Sequence, residues 1–498
     1  MYILGFLSFT GAVGLIAGVA ILVTMGAIAS ALYNVFFHPL STYRGPWIAT
    51  ATRMWYAWHS VNGSLPFAIH ELHLRYGDVV RVAPNELSYI HPDGWNEIYG
   101  YRNGKSELSK DPDFYSSTLS GPEGIVCAPQ DRHGYIRKQM SHGFSEKSLR
   151  EQEPTIRFHA DLMISKLSSQ ANERGENIVD FTRWYNYFTF DVTAQLVFGE
   201  SFNCLQSSHY HPWVKIIFDG IRFGIWQRCA KFWPWLSPAI QMFIPDSIRH
   251  RRVELTQLSR EKAEYRKTIH DGRNDFVANL LKPDSGVTDP EYQSTVQALI
   301  VAGSETTASL LSGLTFHLLS NPEKLQKAMK EVRREFDAAD QISFVSVNRL
   351  PYLLACLNEA FRVYPPVVDG FPRNTGSNVE VIMNQAVPPK TIVRMSHWAA
   401  YRSPQNFVRP DEYIPERWLA NVPGFEDDRK SALQPFQVGP RNCIGRTLAY
   451  MEMRLLMALV LWHFDLELCP GSENWNNQRV FNLWEKPELM VKLLVRKL

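Results

Sequence analysis

Phe436-Gln437-Val438-Gly439-Pro440-Arg441-Asn442-Cys443-Ile444-Gly445 sets a cysteine in a glycine-bracketed loop, with an arginine two positions before it. That spacing suits a thiolate bound axially to haem iron, the ligation that favours O–O cleavage. Glycine lets a backbone turn tightly and approach a flat macrocycle that a Cβ would strike. Backbone N–H groups can then point at the sulfur and stabilise its negative charge. Arg441 would reach a haem propionate, since a guanidinium fork matches a carboxylate. The alternative is a buried structural cysteine, packed as a small apolar residue. Phe436, Gly439, Arg441 and Gly445 weigh against it, because chance rarely supplies all four around one cysteine.

The loop closely resembles the haem-binding signature of the cytochrome P450 family. The resemblance implies a mainly α-helical fold with a small β region. It implies haem b held by the Cys443 thiolate, with Phe436 and Arg441 beside it. It further implies O2, a hydrophobic small-molecule substrate, and insertion of one oxygen atom by hydroxylation or epoxidation.

Bulk properties agree. In a chain of 498 residues, 45% hydrophobic and 12% aromatic content is ample for a large core. A net charge of +2 excludes a nucleic-acid binder as the main class. Six dispersed cysteines form no C-x-x-C pair for zinc, no covalent haem motif and no secreted disulfide framework. A reducing, cytosol-facing setting follows.

No Lys, Arg, Asp or Glu precedes Arg44, and residues 3–37 are almost wholly apolar, longer than the roughly 20 residues that span a hydrocarbon core. Ala27-Ile28-Ala29 resembles a signal-peptide cleavage site, but no positive n-region precedes the run and it extends past a normal h-region. We expect residues 1–38 to be a transmembrane anchor and residues 39–498 to be the catalytic domain. Arg44 and Arg53 follow the segment and place that domain in the cytosol, with the endoplasmic reticulum as the expected membrane. The stretch from His38 to Pro46 reads as a stiff Pro/Gly hinge.

Beyond the hinge, helix follows helix. A short hairpin is expected around Pro84-Asn85. A long buried helix over residues 293–319 is stopped by Asn321-Pro322. It contains Ala302-Gly303-Ser304-Glu305-Thr306-Thr307, in which Ala302 and Gly303 would leave room for a diatomic ligand. Thr306 lies on the same face, where its hydroxyl can hydrogen-bond dioxygen, and Glu305 can relay protons. The alternative is a threonine bonded back to its own helix carbonyl. The stretch matches the oxygen-activation motif of the same family.

Glu359 and Arg362 are three apart on one helical face, ahead of Pro365-Pro366. In the family a matching pair is buried with an arginine from a Pro-Glu-Arg-Trp element, here Pro415-Glu416-Arg417-Trp418. Glu359, Arg362 and Arg417 are therefore expected to form a desolvated network that positions the cysteine loop. His133 and Arg137 lie four apart, and the resemblance assigns both to a haem propionate, with Arg373 as a third ligand. Asn384 stands where the family usually has a turn glycine, which touches local turn geometry only.

Gly104-Lys105-Ser106 lacks the upstream glycine of a phosphate loop, and no dinucleotide fingerprint occurs. Electrons must come from another protein, which the resemblance identifies as NADPH–cytochrome P450 reductase. Arg132, Lys138, Arg429, Lys430 and Arg446 could steer such an acidic flavoprotein. For substrate, residues 202–245 are aromatic (Phe218, Phe223, Trp226, Phe232, Trp233, Trp235 and Phe243), either as core or as an access channel. Val296, Ala298, Leu299, Val367 and Val368 would make an apolar ceiling. A fungal polyketide or terpenoid secondary metabolite is expected by analogy. Two other classes stay open. The first is a reductase-independent isomerase or peroxide-using enzyme on the same scaffold, against which the Glu305-Thr306 pair argues. The second is a non-catalytic membrane haem-binding protein, which substrate-dependent O2 consumption would exclude.

Overall fold

Tyr2–Phe36 form one helix, α1, and its stretch Ala17–Phe36 has a mean hydropathy of 1.9 with none of it buried. It is long and apolar enough to cross a membrane. The computed structural model describes residues 2–102, 104–116, 123–172, 177–234, 242, 246–269 and 275–497.

The segment after α1 is tied to the body. The Asn34 side chain donates to the Ala51 carbonyl (2.9 Å), and Arg81 donates to the carbonyls of Asn34 (2.9 Å) and Leu40 (3.3 Å). Leu40 is fully buried, and a Cβ on Gly45 would lie 2.2 Å from the Arg81 carbonyl oxygen. The expected hinge is thus a fixed strap.

Six further helices frame the site: α2 (Gln130–Ser141), α3 (Phe181–Phe198), α4 (Pro212–Lys231), α5 (Asp289–Leu319), α6 (Pro351–Val363) and α7 (Arg446–His463). The long helix begins four residues earlier than its apolar run suggests. Thr288 and Glu291 form a reciprocal capping box, and Pro290 suits the first turn, where its missing N–H costs nothing. Its centre is buried against α3, where Tyr185 and Thr315 hydroxyls meet at 2.7 Å. A Cβ on Gly303 would sit 3.0 Å from Thr193 of α3, so that glycine serves helix packing. Ala302 alone of the expected gap pair lines the cavity described below.

The small β region is chiefly a five-stranded sheet of β1 (Val79–Ala83), β2 (Glu86–Tyr89), β3 (Ser109–Lys110), β4 (Arg373–Asn374) and β5 (Ile392–Met395), in the order β1-β2-β5-β4-β3. The β1–β2 hairpin turns at Pro84-Asn85 as expected, and β2 pairs parallel with β5. Met383 (φ 52°) and Asn384 (φ 58°) turn the hairpin of Glu380–Ile382 and Gln385–Val387. Asparagine tolerates that left-handed conformation better than other side chains, which explains how the turn forms without glycine.

Candidate functional site

Residues 436–445 enter the molecule as a closed loop. The Cys443 N–H donates to the Phe436 carbonyl (2.8 Å) and the Asn442 N–H to the Gly439 carbonyl (3.2 Å). Gly439 has φ +77°, and a Cβ there would lie 1.9 Å from the Tyr99 carbonyl oxygen. Its glycine is required by that backbone crossing. Gly445 caps α7, so Cys443 lies just before a helix N-terminus, where N–H groups favour negative charge. Burial pushes the Cys443 thiol up, while the Gly445 N–H and the Arg137 guanidinium pull it down.

Cys443 faces a cavity of about 1380 Å³ of atom-free space, part of it open to solvent. Apolar walls come from Ala298, Leu299, Ala302, Leu310, Phe361 and Val367. Basic groups line another part: Lys110, His133, Arg137, Arg373 and Arg441. Arg441 pairs with Glu107 (Nη2 to Oε1 2.5 Å) and donates to the Ala128 carbonyl (3.1 Å). Arg137 grips Asn442, through its carbonyl (2.6 Å) and side-chain oxygen (2.5 Å). Arg373 is buried, and its Nη1 has no hydrogen-bond partner among the described residues. Burial first, then Arg441, Lys110 and Arg137, drives His133 down to about 3, so the ring is neutral and can bond an acceptor as an N–H donor. Burial brings Lys110 down to about 7.

This set fits haem. The Cys443 sulfur would supply a ligand to the iron. The unpartnered Arg373 N–H and an excess of guanidinium over carboxylate suit two propionates. Lys110, Glu107 and Asn442 escaped the sequence reading. Asn442 lay inside the quoted loop, whereas nothing in spacing marks Glu107 or Lys110, which the β3–β4 pairing brings to Arg373.

Along α5, Thr306 lines the cavity and its hydroxyl donates to the Ala302 carbonyl (2.6 Å). The back-bonded alternative is the geometry observed, and it leaves the oxygen's lone pairs at the cavity wall. Glu305 is fully buried and does not line the cavity. Its carboxylate pairs with Lys486 and accepts from Ser309 (3.2 Å), while Lys486 donates to Ser309 (2.9 Å). Burial pulls the Lys486 ammonium down. The sequence reading missed Lys486, a single lysine far along the chain with no periodic signal.

Glu359, Arg362 and Arg417 have fully buried side chains. Arg362 pairs with Glu359 at 2.7 Å and Arg417 with Glu359 at 3.1 Å. The Trp418 indole and the Ile414 N–H complete the Glu359 carboxylate, each at 2.8 Å, and Asp428 takes the other end of Arg417 (2.7 Å). The same turn of α6 touches the loop. Phe361 packs on Phe436 (5.2 Å between centroids), Phe436 on Tyr450 (5.4 Å), and the Tyr450 hydroxyl donates to Asn358 (3.0 Å).

Of the expected ceiling, Ala298, Leu299 and Val367 line the cavity, Val368 lines a neighbouring one, and Val296 is buried elsewhere. In the aromatic segment, Phe232 packs on Tyr56 (5.9 Å) and Trp226 is exposed. The Phe218 side chain, Trp235 and Phe243 lie outside the described residues. Arg132 is bound to Glu291 (2.6 Å), which removes it from the candidate steering charges; Lys138, Arg429, Lys430 and Arg446 are exposed.

A family model, Cytochrome P450, matches residues 49–493. The chain is 43% identical over 485 residues to cytochrome P450 monooxygenase astA of Talaromyces wortmannii, covering 97% of each. It is 41% identical over 499 residues to cytochrome P450 monooxygenase tpeC of Talaromyces stipitatus, covering 98% of this chain and 95% of that one. It is 39% identical over 490 residues to cytochrome P450 monooxygenase atr2 of Stereocaulon alpinum, covering 97% of each.

Proposed function

Because the chain belongs to the cytochrome P450 family, we propose that it inserts one oxygen atom from O2 into a hydrophobic small molecule, with electrons from NADPH delivered by a separate cytochrome P450 reductase. The family is one of haem-thiolate monooxygenases that use O2, a small-molecule substrate and a redox partner. Haem b is the group proposed here; it supplies activation of O2 and oxygen insertion. Cys443 would be its axial ligand, Phe436 would pack beside that sulfur, and His133, Arg137, Arg373 and Arg441 would hold its propionates. Glu359, Arg362 and Arg417 would fix α6, and through Phe361 the loop.

The observation that carries this reading is a single cavity lined by Cys443, by Thr306 and by that basic group. Thr306 keeps a hydroxyl at the cavity wall, able to accept a hydrogen bond while donating to Ala302 and to pass on its proton when that bond breaks. Glu305, one residue earlier, would be the proton source, which requires its carboxyl to turn from Lys486. The apolar walls exclude water and favour an apolar substrate, of which a fungal polyketide or terpenoid is the proposed class. Residues 1–38 would anchor the protein in the endoplasmic reticulum, with the catalytic body, residues 39–498, in the cytosol.

The test is O2 consumption by membranes carrying the protein and reductase, across a panel of hydrophobic metabolites, followed by product mass. Gain of one oxygen atom that needs both NADPH and reductase supports the reading. Equal turnover without reductase, or none with any panel member, opposes it.

A further inference from the structure

A second cavity, of about 500 Å³ of atom-free space, adjoins the first and shares Val367 and Phe371 with it. Asp369 and Arg394 line it. Arg394 is paired with Glu86, which also holds Arg53 (3.1 Å), and Asp369 accepts from the Ser396 hydroxyl (2.8 Å). Arg228, from the last turn of α4, also lines it and is only 5% exposed. Its Nε has no hydrogen-bond partner among the described residues, and so does Nε of Arg394 on the same cavity. Arg228 stands against the Phe114 ring (5.2 Å to the centroid), and no carboxylate lies within ion-pair distance of it among the described residues. Arg394 is thus paired with Glu86 and Asp369 is hydrogen-bonded to Ser396, while Arg228 has no ion pair among the described residues.

A buried guanidinium without an anion is among the costliest groups a fold can keep, and it persists where something else completes it. We propose that Arg228 anchors a carboxylate of the substrate, so that the preferred substrates are apolar molecules bearing one acidic group. The acid would sit in the side cavity, and the apolar body would extend past Val367 and Phe371 toward Cys443. This rests on the monooxygenase reading and names its substrate class. It also amends the expectation of an apolar ceiling.

The test compares acids with their own methyl esters: 2-naphthoate, 4-phenylbenzoate and dodecanoate, measured by equilibrium dialysis against the full-length holoenzyme at neutral pH and low salt. A charge-assisted hydrogen bond in a buried site predicts that at least one acid binds roughly 10- to 100-fold more tightly than its ester. Arg228→Met should erase that preference while leaving ester binding, and Arg228→Lys should keep part of it. Arg228→Met should also raise the melting temperature of the ligand-free holoenzyme by removing an unpaired charge. The proposal is overturned if no acid binds better than its ester, if the preference survives in Arg228→Met, or if Arg228→Met weakens acid and ester alike, which would mark a packing role. Dialysis does not depend on turnover, so failure of the monooxygenase reading would show separately, as loss of the thiolate-type haem spectrum in the unaltered protein.

Discussion

At Cys443 two influences oppose: burial favours the neutral thiol, and the Gly445 N–H with Arg137 favours the thiolate. A bound cation at the sulfur would settle that competition toward the charged form. Thr306 is the second residue whose role is local. Thr306→Ala removes the hydroxyl bonded to Ala302 but no cavity-building bulk on the sulfur side. We expect a normal haem spectrum with O2 consumption diverted from product to peroxide, read as the ratio of peroxide released to product formed. Lys486 makes a sharper prediction about Glu305. Replacing it by Met leaves a fully buried carboxylate without its cation, and breaking such a pair costs about 3–5 kcal/mol. Denaturant unfolding should show that loss, and Lys486→Met combined with Glu305→Gln should recover much of it.

Among the elements, α6 and α7 hold the sulfur in place. Arg362→Ala would leave Glu359 and Asp428 sharing Arg417 as their one buried counter-charge in that network, and a loss of about 3–5 kcal/mol with poor haem retention is the expected result. The haem-to-protein absorbance ratio after purification measures it. On α7, Glu452 is buried, its Oε1 has no hydrogen-bond partner among the described residues, and burial pushes its carboxyl up to about 8. The folded state therefore holds this proton more tightly than the unfolded chain. The stability it leaves intact below the ordinary glutamate range is lost as pH climbs toward 8. Glu452→Gln should accordingly raise the melting temperature at pH 8 and change it little at pH 4. These elements also mark what sequence could reveal. The hairpin, α5 and α6 were legible from periodicity and from Pro and Gly stops, and the resemblance supplied α2 and the order of the motifs. Glu107, Lys110, Lys486 and Arg228 were not legible, because their partners are set by tertiary contacts between segments far apart in the chain. Gly303 was legible as a small residue but not for its cause, since only the packing of α3 shows that Thr193 needs the space.

Over the whole molecule, α1 and the strap behind it separate two properties. The span Ala17–Phe36 is apolar and unburied, whereas Asn34, Leu40 and Gly45 are bound into the body through Arg81 and Ala51. Removing residues 2–33 should move the protein from the membrane pellet to the soluble fraction with its haem spectrum intact. Removing residues 2–46 should also lower its melting temperature, because Arg81 then loses the Asn34 and Leu40 carbonyls and keeps only that of Pro84. Everything the body arranges converges on one sulfur, and the most direct measurement is the reduced, carbon monoxide-bound spectrum of the purified protein beside that of Cys443→Ala. A long-wavelength Soret band of the thiolate type in the first and its absence in the second is predicted. The same band in both, or a nitrogen-ligated spectrum in the unaltered protein, would contradict the account.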